Sequence, residues 1–336
     1  VKKIKLVKFL IIQTAFIGDV VLATPLIEKL HVFFPDARID FLLRGGNEQL
    51  LAGHPLIHEL LIWNKKINKQ GNLFRILQII RKNRYDKVIN VQRFFATGLL
   101  TVLSGAKETI GFDKNPLSIF FSKKIKHRVG GDLSVHETVR NLDLIRFFTD
   151  DSIYRPKLYP SLADFASLET LTSGKFITVS PASVWFTKQF PVSQWISFIR
   201  HIPAGFGIFL LGGPGDATLC GVIREACNNN QLKVLAGSLS FLQSAALMSR
   251  ARMNYVNDSA PLHFASAVNA PVTAVYCSTI PGFGFGPLSD ISHVVEIKES
   301  LYCRPCGLHG YISCPEKHFK CGLEIKQEDL LKTFPE

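Results

Sequence analysis

Apolar residues recur along this chain in two alternating rhythms. Short runs rich in β-branched residues, at 9–12, 39–43, 60–63 and 87–91, read as buried strands. Between them, apolar positions three and four residues apart predict helices. Val21, Leu22, Leu26, Ile27, Leu30 and Phe33 mark the first, residues 48–53 a short second and 74–81 a third; 97–111 reads as helix then strand. This alternation is that of parallel βαβ units, not of a sandwich. Residues 112–135 break it with mixed charge and weak periodicity, and are expected to form a mobile basic loop that includes Lys123, Lys124, Lys126 and Arg128. A helix follows from His136 to Arg146. Pro156 and Pro160 then hold the chain extended, which makes residues 154–160 the natural domain boundary. Beyond them the rhythm restarts, with strands at 175–180, 207–211, 252–256 and 272–276 and helices at 193–202, 241–249 and 261–268. The pattern predicts one α/β domain over 1–155 and a second over 156–322. A C-terminal segment, 323–336, is expected to be helical and to fold back on the first domain.

Composition narrows this picture. The 336 residues, 47% hydrophobic and 20% charged, suffice for two buried cores and argue against disorder. No apolar run approaches the length of a membrane span, and the apolar stretch after the basic start is too short for a signal peptide. A cytoplasmic protein is expected. The net charge of +12 is unevenly placed. Residues 1–150 hold 24 Lys and Arg against 13 Asp and Glu, a balance of +11, whereas 151–336 hold 15 against 14, a balance of +1. An anionic substrate, an anionic membrane surface or nucleic acid would each answer that field, as would a solvated face with no specific partner. Nucleic acid finds no support, because zinc-finger spacing, an aromatic RNP pattern and a long basic helix are all missing.

Candidate chemistry collects where strands end, since ligands bind at the carboxyl edge of an open α/β sheet. After the first strand stand Gly18 and Asp19. Asp19 reads either as a helix N-cap or as a group facing a ligand, and the choice turns on the helix start. A start at Asp19 leaves Pro25 beyond the first turn, where proline kinks a helix; a start at Thr24 puts Pro25 at N1 and Asp19 in a loop. Gln92 and Arg93 lie just past another strand. His136 and Arg140 are four apart on one helix face, either an ordinary solvated pair or an anion-binding face. In the second half, Ser183, Thr187 and Lys188 can donate to phosphate oxygens, and Gly212 and Gly213 allow close backbone approach. Asp258, Ser259, Ala260 and His263 sit where Pro261 opens a helix, a ready anion site; simple capping and a core histidine account for them equally.

In order, Ile17-Gly18-Asp19 through Pro25, His136 to Asn141, Pro181 to Pro191, Gly212-Gly213, Asn257 to His263 and Gly286-Pro287 resemble the motifs of glycosyltransferase family 9, the ADP-heptose:lipopolysaccharide heptosyltransferases. Together they span most of the chain. The resemblance implies a GT-B fold, two Rossmann-like lobes with parallel sheets facing a central cleft. It implies acceptor binding by the first lobe, through Gln92, Arg93, His136 and Arg140. The donor ADP-heptose would be bound by the second, through Ser183, Thr187, Lys188, Gly212, Gly213, Asp258, Ser259, Ala260 and His263. Asp19 matches the family's base for an inverting transfer that requires no metal or other cofactor. The acceptor would be an anionic lipid-linked oligosaccharide at the cytoplasmic face of the inner membrane, with peripheral membrane contact through residues 123–128. Ala260 departs from the usual glycine, and Gln189-Phe190 from the usual basic-Trp pair. A sugar-nucleotide epimerase and a two-lobed binding protein are the alternatives. Cys303-x2-Cys306-x7-Cys314-x6-Cys321 offers either four metal-binding thiolates or reduced packing cysteines.

Overall fold

The computed structural model describes residues 6–129 and 135–335. The chain divides into two compact units, Val1–Tyr159 and Pro160–Glu336. The first is built as β1 (Lys8–Ile12), α1 (Ile17–Phe33), β2 (Arg38–Arg44), β3 (Glu59–Trp63), α2 (Lys69–Asn83), β4 (Lys87–Asn90), α3 (Phe95–Val102), β5 (Glu108–Phe112), β6 (Lys123–Ile125) and α4 (Glu137–Asp143). The second follows as α5 (Leu162–Ala166), β7 (Phe176–Ser180), α6 (Val192–Arg200), β8 (Gly207–Leu210), α7 (Ala217–Cys227), β9 (Leu232–Val234), α8 (Phe241–Arg250), β10 (Asn254–Asn257), α9 (Ala260–Ala267), β11 (Val272–Tyr276), β12 (Ser292–Glu296), α10 (Lys320–Leu323) and α11 (Gln327–Leu331).

Each unit holds one six-stranded sheet, ordered β3-β2-β1-β4-β5-β6 and β12-β11-β10-β7-β8-β9. All pairings are parallel. Counted within its own unit, each order is 3-2-1-4-5-6, the doubly wound arrangement. Phe9 to Ile12 are fully buried, as are all five residues of β7 and of β11, because helices cover both faces of a parallel sheet. No described helix is long and apolar enough to cross a membrane.

Two expectations change here. The basic stretch expected to be a loop contains β6, whose Lys123 and Lys124 are exposed and which pairs with β5 through Ile110↔Lys123 and Phe112↔Ile125. Lysines on an edge strand hide its periodicity and also discourage edge-to-edge pairing. Residues 130–134 of the same stretch lie outside the described residues. The C-terminal helix, expected to fold back on the first domain, packs on the second unit. Leu330 is fully buried in that unit's core, Ser197 Oγ donates to Gln327 Oε1 at 2.5 Å, and Phe334 meets Phe206 with ring centroids 4.9 Å apart. Its apolar residues finish a core already present on α6.

Helix α1 starts at neither of the two anticipated positions. It runs from Ile17 through Pro25, and residues Val20 to Leu30 are all buried. Pro25 has no N–H for the Val21 carbonyl, and the Thr24 hydroxyl donates to that oxygen instead, at 2.7 Å. The same hydroxyl accepts the Lys157 N–H at 2.9 Å. Buried polar groups further along the helix are met in kind. Lys29, 1% exposed, donates to the carbonyls of Asp150 and Ser152 at 2.6 and 2.9 Å, and Glu28 accepts from Tyr159 and Lys157.

His54 packs edge-on against Tyr159, and burial pulls its imidazole down to about 4. Its folded value thus lies below the ordinary 6.5. The unfolded chain therefore takes up a proton first as pH falls, and stability is lost between 6.5 and about 4. Urea unfolding across that window should show a loss on the order of 3 kcal/mol, reduced in His54→Asn.

Candidate active site

With a 3-2-1-4-5-6 order, the switch point of a sheet lies between its first and fourth strands, where ligands bind beyond the carboxyl ends. In the first unit these are β1 and β4, paired at Ile12↔Asn90. The chain leaving β1 turns into α1, so Gly18 and Asp19 occupy that helix's first turn. The Asp19 carboxylate accepts the Phe16 N–H at 3.0 Å, the returning half of a capping box. Asp19 is therefore a cap contributor at N3 and also stands at the switch point; the two roles coexist.

Around it the turn is braced from β4 and β3. Thr14 Oγ1 donates to Gln92 Oε1 at 2.7 Å, and Gln92 Nε2 donates to the Ala15 carbonyl at 2.7 Å. Lys65, just past β3, donates from Nζ to Thr14 Oγ1 at 2.9 Å and lies over the Trp63 ring at 4.2 Å. Partial burial, then the charges of Arg44 and Lys69, pull the Lys65 ammonium down to about 8. Arg44 closes β2 with its guanidinium 6.0 Å from the Phe16 ring centroid, and the exposed Arg93 follows β4. Three cations thus stand at strand ends on the same edge of the sheet as Asp19.

The other first-lobe candidates take different places. Gln92 is 4% exposed with its side chain engaged in the turn, so it braces the loop. Arg140 is also 4% exposed. Its Nε donates to Glu137 at 2.6 Å and its Nη1 to the Val135 carbonyl at 2.7 Å. Burial pushes Glu137 up, but His127 and Arg140 outweigh it and hold the carboxylate below its ordinary value. His136 caps α4, its Nδ1 accepting the Thr138 N–H at 3.2 Å. Arg140 is thus buried and His136 half-buried, and α4 packs on α1, where Asn141 donates to the Leu22 carbonyl at 3.0 Å.

In the second unit the switch point lies between β7 and β10, paired at Val256↔Ser180. Two loops meet there. Asn257 ties them: its Nδ2 donates to the Pro181 carbonyl at 2.8 Å, and its Oδ1 accepts the Phe190 N–H at 3.0 Å. The ends of the 181–190 loop are thereby clamped, with Ser183 on it partly exposed and its carbonyl accepting from Gln189. Lys188 Nζ sits 2.7 Å from Asp258 Oδ2, with the two side chains 15% and 8% exposed. Thr279 donates to the same Asp258 oxygen at 2.6 Å. Thr187 is 1% exposed; its hydroxyl accepts from Tyr311 N–H at 2.8 Å and from Ser278 Oγ at 3.0 Å. It anchors the loop next to Lys188.

Ser259 stands at the N-cap position of α9 without a side-chain cap bond; the helix starts at Ala260 with Pro261 in its first turn, and His263 is buried on it. Gly212 and Gly213 follow β8. A Cβ on Gly212 would lie 2.7 Å from Asp216 Cβ, and Asp216 accepts the Gly213 N–H at 2.8 Å. Glycine there serves the local turn.

Sequence reasoning missed Lys65, Arg44, Thr279 and Arg304. A cation just past a strand end was the available signal for the first two. Arg304 had none: it reaches across the chain to donate to the carbonyls of Cys277 and Thr279, both at 2.8 Å, and pairs with Glu296. It thereby fixes the turn whose Thr279 hydroxyl holds Asp258.

This arrangement supplies a carboxylate at one switch point, with cations on the same sheet edge, and an ammonium paired with a carboxylate beside a helix N-terminus at the other. The sequence profile of Glycosyltransferase family 9 (heptosyltransferase) matches residues 73–309. Lipopolysaccharide heptosyltransferase 3 of Escherichia coli is 28% identical over 281 residues, covering 79% of this chain and 82% of that protein. Among solved structures, E. coli ADP-heptose LPS heptosyltransferase II superposes with a TM-score of 0.80 at 21% identity, covering 97% of each chain. An E. coli heptosyltransferase solved with ADP superposes at 0.69 and 19% identity, covering 85% of this chain and 92% of that one. The fold is that of these GT-B enzymes.

Proposed function

Because the chain belongs to glycosyltransferase family 9, the heptosyltransferases, we propose that it transfers a heptose from ADP-L-glycero-D-manno-heptose to the Kdo/heptose–lipid A inner core of lipopolysaccharide. Transfer proceeds with inversion and with no metal ion in the chemical step. One observation carries this reading: the switch points of two sheets of identical strand order hold Asp19 and the Lys188–Asp258 pair. The acceptor hydroxyl attacks the anomeric carbon as the bond to the diphosphate breaks. Asp19 takes the hydroxyl proton, which becomes acidic as the new bond forms. Lys188 and the N–H groups opening α9 offset the charge that grows on the departing diphosphate. Arg44, Lys65 and Arg93 receive the acceptor's anionic groups, in place of Gln92, His136 and Arg140.

Lys65 makes the acceptor assignment measurable. Its ammonium is charged below about 8 and neutral above, so kcat/KM for an anionic acceptor falls as pH rises through that value. Lys65→Arg keeps its charge at all these pH values and removes the inflection. An inflection that survives in Lys65→Arg assigns it to another group.

The first unit also meets the membrane surface on which such an acceptor lies. Ile119 and Phe120 are 74% and 63% exposed, and exposed Lys123, Lys124, Lys126 and Arg128 follow them in the chain. Apolar tips beside cations suit an anionic bilayer surface at the cytoplasmic face. Cosedimentation with anionic vesicles should be strong at low salt and lost as the Debye length shrinks toward ~3 Å near 1 M.

Incubation with ADP-heptose, with and without a Kdo-containing acceptor, separates the classes of function. Transfer to the acceptor supports the proposal. Donor conversion without acceptor would make the protein an epimerase, and binding without turnover a binding module.

A further inference from the structure

Two helices of the first unit begin at the carboxyl edge of its sheet, and both begin on a phenylalanine. Phe16 holds the N-cap position of α1, after β1, and Phe94 that of α3, after β4. Neither makes a side-chain cap bond. Serine, threonine, aspartate and asparagine are favoured at this position because their oxygens accept a free N–H of the first turn. Ser161 and Ser240 do so for α5 and α8. Burial does not account for the two rings either, since Phe16 is 64% exposed and Phe94 45%. A residue that neither the local helix nor the core uses points to a task at the surface.

The backbone that carries these rings is firmly held. Phe16 N–H donates to Asp19 at 3.0 Å, and Gln92 ties the two turns together through Thr14 and the Ala15 carbonyl. Asn115 Nδ2 donates to the carbonyls of Gln92 and Phe94 at 2.9 and 3.0 Å. Each ring also has an arginine beside it. The Arg44 guanidinium, at the end of β2, lies 6.0 Å from the Phe16 centroid, and that of Arg93 lies 5.9 Å from the Phe94 centroid. Among the described residues, neither guanidinium has a carboxylate partner. Strands β2, β1 and β4 are neighbours, so the two pairs follow three adjacent strand ends, a span on the order of 10 Å.

An exposed aromatic ring with a cation at its side selects a particular chemistry. The C–H face of a pyranose carries slight positive charge and settles on the negative face of an aromatic ring. A guanidinium takes a carboxylate or a phosphate through two parallel hydrogen bonds. A sugar ring that bears an anionic substituent satisfies both.

We propose that Phe16 and Phe94, each with its arginine, form a platform on which anionic pyranose rings of the acceptor stack. Because the Phe16 N–H is bonded to the Asp19 carboxylate, a sugar on Phe16 lies beside the proposed base. Phe94 takes a ring further along the oligosaccharide. The inference rests on the acceptor role proposed for this unit, and adds to it the residues that recognise sugar rings as well as charge.

The test is calorimetric binding of soluble, acyl-free disaccharides to the full-length protein without donor. The probes are a Kdo disaccharide with its carboxylates, a heptose disaccharide with a phosphate, and that heptose disaccharide without it. Wild type should bind a charged probe at least about tenfold more tightly than the neutral one, and the tighter of the two charged probes identifies the anion. Phe16→Leu and Phe94→Leu should each weaken this binding about tenfold, while Phe16→Tyr and Phe94→Tyr stay within about threefold. Leucine keeps the apolar bulk and the backbone N–H but lacks the π face, so a merely structural role would not separate leucine from tyrosine. Should a leucine variant not fold, saturation of the phenylalanine ring protons in wild-type protein decides. Transfer to one C–H face of the bound sugar supports the platform, and a bound sugar that receives none overturns it. Lost vesicle cosedimentation with sugar affinity intact would give the rings to the membrane and overturn it too. Sugar bound equally by wild type and all variants sinks the platform alone, whereas folded wild type that binds no probe sinks the acceptor role with it.

Discussion

Asp19→Asn should cut heptose transfer by about 10²–10⁴-fold, the usual contribution of a positioned general base, and leave donor affinity within about twofold. Asparagine suits the test because of where Asp19 sits. Its carboxylate accepts the Phe16 N–H at the start of α1, and the asparagine carbonyl oxygen can accept the same bond. The capping interaction and the turn are therefore retained, while the ability to take a proton at neutral pH is lost. Donor affinity is read by calorimetry with ADP-heptose, and turnover by product formation on a Kdo-containing acceptor. Turnover close to wild type would remove Asp19 from the chemistry and leave it a cap.

Lys188→Met should lower kcat/KM by about 10²–10³-fold, the loss expected when a group that stabilises departing charge is removed. It should also destabilise the second unit. Asp258 is 5% exposed and pairs with Lys188 at 2.7 Å. Removing one member of a buried pair leaves the other charge uncompensated, at a cost of ~3–5 kcal/mol. The two effects separate in a double variant. Lys188→Met with Asp258→Asn removes the stranded charge and should recover most of the stability, yet should recover none of the activity. Urea unfolding and steady-state kinetics on the four members of this cycle check both halves. Recovery of activity in the double variant would show that Lys188 acts only by neutralising Asp258.

Most of the architecture was legible because parallel strands buried on both faces leave unbroken apolar runs such as 9–12 and 272–276. Strand β6 was not, since it is an edge strand whose lysines face water. The candidate site was read from its loops: Asp19, Lys188 and Asp258 lie where strands end, and chain position alone marks them. What those side chains touch was not. Gln92 and Arg140 carry the right chemistry at the right distance along the chain, but tertiary packing turns both inward. Arg304 reaches the turn at Cys277 and Thr279, and Tyr311 the loop that carries Lys188, from far along the sequence, and no local pattern records such contacts. Lys65 differs again, because its altered proton affinity comes from partial burial near Arg44 and Lys69.

The Thr24 hydroxyl stands in for the amide hydrogen that Pro25 lacks, and it also accepts the Lys157 N–H. Positions 24 and 25 therefore form one inheritable unit. Proline at 25 is tolerable while 24 offers a hydroxyl, and loss of the hydroxyl strands two backbone groups at once, one in the helix that begins beside Asp19 and one in the segment leading to the second unit. A library randomised at both positions should return proline at 25 together with threonine or serine at 24, and return other residues at 24 chiefly where 25 has regained its amide hydrogen.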